Sequence, residues 1–227
     1  MRVTLKRKPL TISLERAQDG AYHMERDGDI DADSHFSYAF ELACKRLNLS
    51  YKTRGYSGSA THSSSTIEFA QEVLEAPLLT AAVTLAELSA AELALQLIDG
   101  GVFGPKGGEP DFSALNEKTS SETLKDWAIA YYQANLIDDP DSFNCLERNS
   151  LFRFRQVAVK DLQHNLQGSY NTPIKVDAYR HLLQRKTPLP PLICRRRGWD
   201  LYEGYHRLAA CVAEKLDKFA CVVIGRA

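Results

Sequence analysis

The chain has 227 residues, with 28 Lys and Arg against 29 Asp and Glu, a formal net charge of −1 and 44% hydrophobic residues. This is one large or two small domains of an ordinary soluble globular protein, with apolar residues enough for a sizeable core. No stretch reaches the ~18 uncharged apolar residues of a membrane span, the start Met1-Arg2-Val3-Thr4-Leu5-Lys6 lacks the apolar run of a secretory signal, and near-zero charge excludes nucleic-acid attraction by the whole protein, leaving local basic patches open.

The alternation of Val3 and Leu5, then Leu10, Ile12 and Leu14, predicts two short strands with Pro9 at a break or edge. The acidic stretch from Asp27 to Asp33 is turn-like; its alternating aspartates resemble a calcium loop but no glutamate stands at the bidentate position. Asp33 or Ser34 is read as the cap of a helix from Phe36 to Leu47. The Gly/Ser-rich run from Arg54 to Ser65 then reads as a loop opening a helix from Thr66 to Leu74. Such a loop is either a flexible linker ending in a serine cap or an anion cradle aided by Arg54, and it carries no phosphate-loop lysine. Ala76 to Ile98 reads as two helices, broken near Pro77 and restarted at Ser89 with Glu92 completing a capping box, and Asp99-Gly100-Gly101 ends them. Gly104 to Pro110 is the strongest breaker cluster, a linker or a loop over a site. Ser121 is expected to cap a helix reaching about Leu136, with Leu124, Trp127, Ala128 and Tyr131 on one side and Asp138-Asp139-Pro140-Asp141 as its stop.

The last third is denser in signals. Phe154 to Val159 alternates as a strand and Asp161-Leu162 follows. A helix from Val176 to Leu183, the rigid Pro188-Leu189-Pro190-Pro191 and a buried strand Leu192-Ile193-Cys194 come next. Arg195-Arg196-Arg197-Gly198 makes a turn and Trp199 to Tyr202 returns as its hairpin partner. Glu203-Gly204-Tyr205-His206-Arg207 forms a corner into a helix from Leu208 to Lys215, and Phe219 to Ile224 closes as an apolar strand. A glycine before a helix lets backbone approach a ligand, the first amides lie at the positive end of the helix dipole, and an arginine can fork around a phosphate. The corner is therefore either a phosphate-type anion site or a surface pair of Glu203 and Arg207 with His206 capping the helix.

Five cysteines (Cys44, Cys145, Cys194, Cys211 and Cys221) are an odd, scattered set without a Cys-x-x-Cys pair, and three lie among apolar neighbours. Reduced, buried thiols of a cytoplasmic protein account for them better than disulfides or zinc. The six histidines never fall at ligand spacing with a cysteine or acid, so no metal site is predicted.

From Gln156 to Val223 the order of elements resembles the ParB/sulfiredoxin superfamily. The matching features are Asp161-Leu162 at the end of a first strand, a helix, Pro190-Pro191-Leu192-Ile193, a hairpin, and Gly204-Tyr205-His206-Arg207-Leu208-Ala209-Ala210. The resemblance implies a nucleotide, ATP, ADP or CTP, held by its phosphates at Gly204, His206 and Arg207, with Tyr205 lining the site and magnesium offsetting charge. It differs from the sulfinic-acid reductases, which place a cysteine where Tyr205 stands, and from the partition proteins, which read Gly-Glu-Arg-Arg and continue into a DNA-binding region. Kinase-like members match the signature better but carry a carboxylate after the first strand, where this chain has Gln163-His164-Asn165-Leu166-Gln167-Gly168-Ser169. Glu203, or an acid from the N-terminal region, would then be the general base beside His206.

The expectation is an α/β (α+β) protein: residues 1–148 as a mainly helical region with a strand pair, and 149–227 as a nucleotide-binding domain with a small mixed sheet and flanking helices. The expected function is nucleotide-dependent phosphoryl transfer to an unidentified substrate. The alternatives are a DNA- or RNA-binding, nuclease-type protein gripping phosphates with Arg195, Arg196 and Arg197 near Arg153, Arg155 and Trp199, and a nucleotide-sensing module without catalysis.

Overall fold

The computed structural model describes residues 1–6, 9–59, 61–103, 110–135, 150–167 and 172–226. Among these stand seven α-helices, a 3-10 turn and two sheets of five and four strands, a mixed α+β fold. The chain divides into two compact units, residues 1–104 with 172–174, and 105–171 with 175–227. The boundary expected at 148/149 lies outside the described residues, as do the breaker residues 104–109, the helix stop at 138–141 and Cys145.

The first unit carries β1 (Arg2–Thr4), β2 (Leu10–Arg16), β3 (Tyr22–Gly28), α1 (Ile30–Arg46), β4 (Tyr51–Gly58), β5 (His62–Phe69), α2 (Glu75–Ala86) and α3 (Ala90–Asp99). Its sheet is antiparallel throughout in the order β1-β2-β3-β5-β4. Leu10, Ile12 and Leu14 of β2, Tyr22 and Met24 of β3 and Ile67 of β5 are buried. Period-two alternation turns them to one face, as a half-covered sheet requires.

Three local expectations fail here. The Gly/Ser run and the stretch from Thr66 are not a loop and a helix but the hairpin β4–β5, so there is no helix N-terminus at which Arg54 could serve an anion. Arg54 instead pairs with Glu68 across the hairpin. Pairing with β3 overrides the weak strand preference of serine and glycine. Helix α1 starts at Ile30 rather than Phe36, and its cap is Asp29, whose carboxylate accepts from the Asp31 amide. Asp33, one of the expected caps, lies 3.0 Å from Nε of the buried Arg26, and Arg26 also donates to Ser63 and Ser37 hydroxyls. Pro77 does not break α2 but sits in its first turn, where its missing N–H costs nothing. The capping box of Ser89 and Glu92 and the end at Gly100 are as expected.

The second unit contains α4 (Ser121–Asn135), β6 (Ser150–Ala158), α5 (Val159–Leu162), the 3-10 turn (Gln163–Leu166), α6 (Pro173–Gln184), β7 (Leu192–Arg195), β8 (Leu201–Glu203), α7 (Tyr205–Ala213) and β9 (Lys218–Arg226). The sheet order is β6-β9-β7-β8; β9 is antiparallel to β6 and parallel to β7. Alternation splits the strands cleanly between two cores. Phe152, Ile193, Val222 and Ile224 pack on Leu124, Trp127, Ala128 and Tyr131 of α4. Val157, Leu192, Cys194, Leu201, Cys221 and Val223 pack with Leu162 of α5 and Leu208 and Cys211 of α7. The sheet thus lies between helical layers, its α5/α7 face left open at the Arg153–Arg155 end of β6, and each large apolar side chain buried there contributes about 1.5–3 kcal/mol. The cap of α4 is Ser120, whose hydroxyl accepts from the Thr123 amide; Ser121, the expected cap, accepts from the Phe152 amide of β6 and ties helix to sheet.

Cys44, Cys194, Cys211 and Cys221 are free and buried. Burial pushes the thiols of Cys44 and Cys211 up to about 12, which makes them small hydrophobes rather than nucleophiles. Among the described residues no helix is long and apolar enough to cross a membrane.

Candidate phosphate-binding corner

The corner at the end of β8 is built on Gly204, which takes φ 110°. A Cβ there would lie 2.4 Å from Leu192 Cδ2 and 3.0 Å from Arg207 Nη2. Backbone and packing therefore both demand glycine. Gly204 is also the N-cap of α7 and supplies no side-chain bond to it. The first intrahelical bond runs from the Leu208 amide to the Gly204 carbonyl at 2.8 Å, so the preceding amides have no partner within the helix. These amides stand at the positive end of the helix, and α7 begins three residues earlier than the sequence suggested.

The side chains of the signature do not act alike. Arg207 is 0% exposed. Its Nη1 donates to the carbonyls of Pro190 at 2.8 Å and Pro191 at 3.3 Å, its Nη2 to Glu203 Oε1 at 3.4 Å, and its guanidinium lies over the Tyr131 ring at 5.2 Å. It joins the proline segment, the β8 end and α4 from inside the fold. With its guanidinium fully buried, Arg207 would meet a phosphate only if its covering opened. The surface-pair reading of Glu203 and Arg207 also changes: the pair exists, but the arginine is internal and Glu203 keeps 28% of its side chain exposed.

His206 points differently. It is half-buried, and its Nε2 has no hydrogen-bond partner. Burial, then the charges of Lys175 and Arg207, lowers its pKa to about 4, so the ring is neutral at pH 7. It caps nothing. Tyr205 donates its hydroxyl to the Leu201 carbonyl at 2.7 Å, and burial followed by the charges of Glu203 and Asp200 raises its pKa, keeping the phenol protonated. Lys175, near the start of α6, joins the cluster. Its pKa is lowered by burial and partly restored by Glu203.

Lys175 is the member that sequence reading missed, because a lysine just before a predicted helix has no pattern of its own. Asn165 was missed too. Its Nδ2 donates to the carbonyls of Leu162 and Trp199, and its Oδ1 accepts from the Leu201 amide, locking the hairpin that leads to the corner. At that hairpin Arg195, Arg196 and Arg197 are exposed, with Arg195 donating to the Tyr202 hydroxyl and covering its ring at 5.3 Å. His164 is exposed on the 3-10 turn, and Gly168 and Ser169 lie outside the described residues.

The corner can hold a compact anion through backbone amides, a lysine ammonium and a neutral imidazole, against one carboxylate that is already engaged. Among the described residues no cluster of three or more His, Cys, Asp or Glu could hold a metal ion. Compared with known proteins, the chain matches no family model, no curated protein and no solved structure.

Proposed function

We propose that the C-terminal unit binds a nucleotide by its phosphates at the amino end of α7, at the corner to which the resemblance to the ParB/sulfiredoxin superfamily points, with Arg207 in a supporting rather than a ligand role. The observation that carries the reading is a left-handed glycine opening an uncapped helix, with the unsatisfied His206 Nε2 beside it. The Tyr205 and His206 amides and Lys175 are the phosphate ligands, His206 donates once its ring is in the Nε2–H or charged form, and Arg207 supports the corner from within. Magnesium would come bound to the nucleotide's own phosphates, where it would offset their charge. Binding is favoured over phosphoryl transfer, because Glu203, the acid available as general base, is held by Arg207.

Calorimetry with ATP, ADP and CTP, with and without magnesium, tests the reading on the full chain. One nucleotide is expected to bind, and Lys175→Ala to weaken it about tenfold or more, the size of a lost charge-assisted hydrogen bond. An anion beside His206 raises its pKa above the free-protein value of about 4, so binding takes up a proton between the two values. Affinity relative to His206→Gln should thus rise as the pH falls from 7 towards 5. The comparison cancels the protonation of the phosphate itself. No binding by any of the three nucleotides, or binding indifferent to Lys175→Ala, removes the proposal.

A further inference from the structure

We propose that the open end of the second sheet binds single-stranded nucleic acid, with one nucleotide seated between Trp199 and the arginines 153, 155 and 196. The proposal does not depend on the nucleotide site at α7 and shares no ligand-contacting residue with it.

Arg153 and Arg155 of β6 stand opposite Val223 and Cys221 of β9, on the sheet face that α5 and α7 cover farther along at Val157. At the arginine end that face is open: Arg153, Arg155 and Arg196 are all exposed. A cavity of about 340 Å³ lies there, lined by these three arginines together with Trp199, Asp161 and an apolar floor that includes Val223. Among the described residues no ion pair engages any of the three guanidiniums, nor Asp161. Three positive charges against one negative charge make the pocket basic inside a protein whose net charge is −1.

Trp199 is the second, independent observation. Its backbone takes φ 58°, a left-handed conformation that a bulky side chain rarely adopts. Asn165 holds it there, donating to the Trp199 carbonyl at 2.9 Å while accepting from the Leu201 amide at 2.8 Å. The indole rests partly on the apolar cluster beneath it and remains half-exposed. A costly backbone conformation maintained to present a fixed aromatic ring beside free arginines points to a planar, anionic partner.

Each part matches one part of a nucleotide. Guanidinium groups fork onto phosphate oxygens, an indole stacks on a base, and a cavity at the small end of ligand sites takes one such unit. Arg197, exposed at the hairpin tip, carries the positive line past the pocket, which suits a polymer rather than a free nucleotide. Stacking needs an unpaired base, hence a single strand. An acidic peptide would satisfy the arginines and leave the indole without a role.

The test is fluorescence anisotropy of labelled dT and rU 12-mers with the full chain between 50 and 300 mM salt. Binding should weaken with salt with a log–log slope of roughly −2, the value for three phosphates neutralised on a single strand. R153Q/R155Q should cut affinity about tenfold or more and flatten that slope, while R153K/R155K restores the slope. Trp199→Leu should weaken binding about tenfold at unchanged slope, because stacking is sequence- and salt-tolerant, with Trp199→Phe retaining most of it. Lys175→Ala and His206→Gln should leave it intact, which separates this site from the corner. Circular dichroism melts verify that each variant is folded. The proposal is overturned by no binding at 50 mM salt, by arginine variants that bind as wild type, by loss of binding in the corner variants, or by equal competition from a mononucleotide or poly-glutamate.

Discussion

Arg207→Ala is expected to destabilise the protein by about 3–5 kcal/mol, from two buried carbonyls left without a donor and the cavity left by the guanidinium. The substitution strands the Pro190 and Pro191 carbonyls, which the guanidinium satisfies inside the fold, and empties the space over the Tyr131 ring. Glu203, partly exposed, can recover water and adds little to the cost. Arg207→Met should lose less, since it refills the volume without supplying donors. Arg207→Lys should fall between, because one ammonium cannot span two proline carbonyls, the carboxylate and the ring face that a planar fork reaches together. Arg197→Ala at the exposed hairpin tip should stay within about 0.5 kcal/mol of wild type and is the control. Chemical denaturation of the full chain reads all four. A change of less than about 0.5 kcal/mol for Arg207→Ala would show that the side chain is free for a ligand after all.

Gly204→Ala is the second large effect, about 2–4 kcal/mol, because strain and overpacking act at the same atom. The backbone at φ 110° is one that residues with a Cβ rarely adopt, and the new methyl would meet Leu192 Cδ2 at 2.4 Å in the middle of the core. Gly204→Asn, which often tolerates left-handed backbone, should be no better, since the collision is with packing rather than with the peptide. A double-mutant cycle separates the two causes. With Leu192→Ala in place the clash is gone, so the added cost of Gly204→Ala should shrink by about 1 kcal/mol or more, leaving the backbone strain. Strictly additive values would place the whole effect in the backbone.

Legibility differed sharply between the two units. β6, β7, the hairpin, α7 and β9 could be read because apolar alternation and Gly/Pro punctuation agree there with the final pairing. β3 went unread: its exposed face is His23, Glu25 and Asp27, and its buried face includes Arg26, so local composition speaks for a turn. The hairpin β4–β5 was hidden for a related reason. Its serines and glycines take strand geometry from β3 alongside, with Ser63 satisfied by Arg26, and no local window records that partner.

At the corner, the motif located the glycine, but it set the helix start three residues late and did not give the division of labour between His206 and Arg207. Successive helical residues point about 100° apart, so a basic pair at a helix N-terminus cannot face one ligand equally. One side chain turned inward to the proline segment and the other stayed at the opening. That choice depends on Pro190, Pro191, Glu203 and Tyr131, contributed by three separate stretches of chain.

The proposed location of the phosphates, at the amino end of α7, can be read out by mapping amide and imidazole NMR shifts of the full chain during nucleotide titration. The largest changes are expected on the Tyr205 and His206 amides and on the His206 ring, whose pKa climbs from about 4 as the site fills. Shifts centred elsewhere, or a His206 ring whose titration is the same with and without saturating nucleotide, would contradict it.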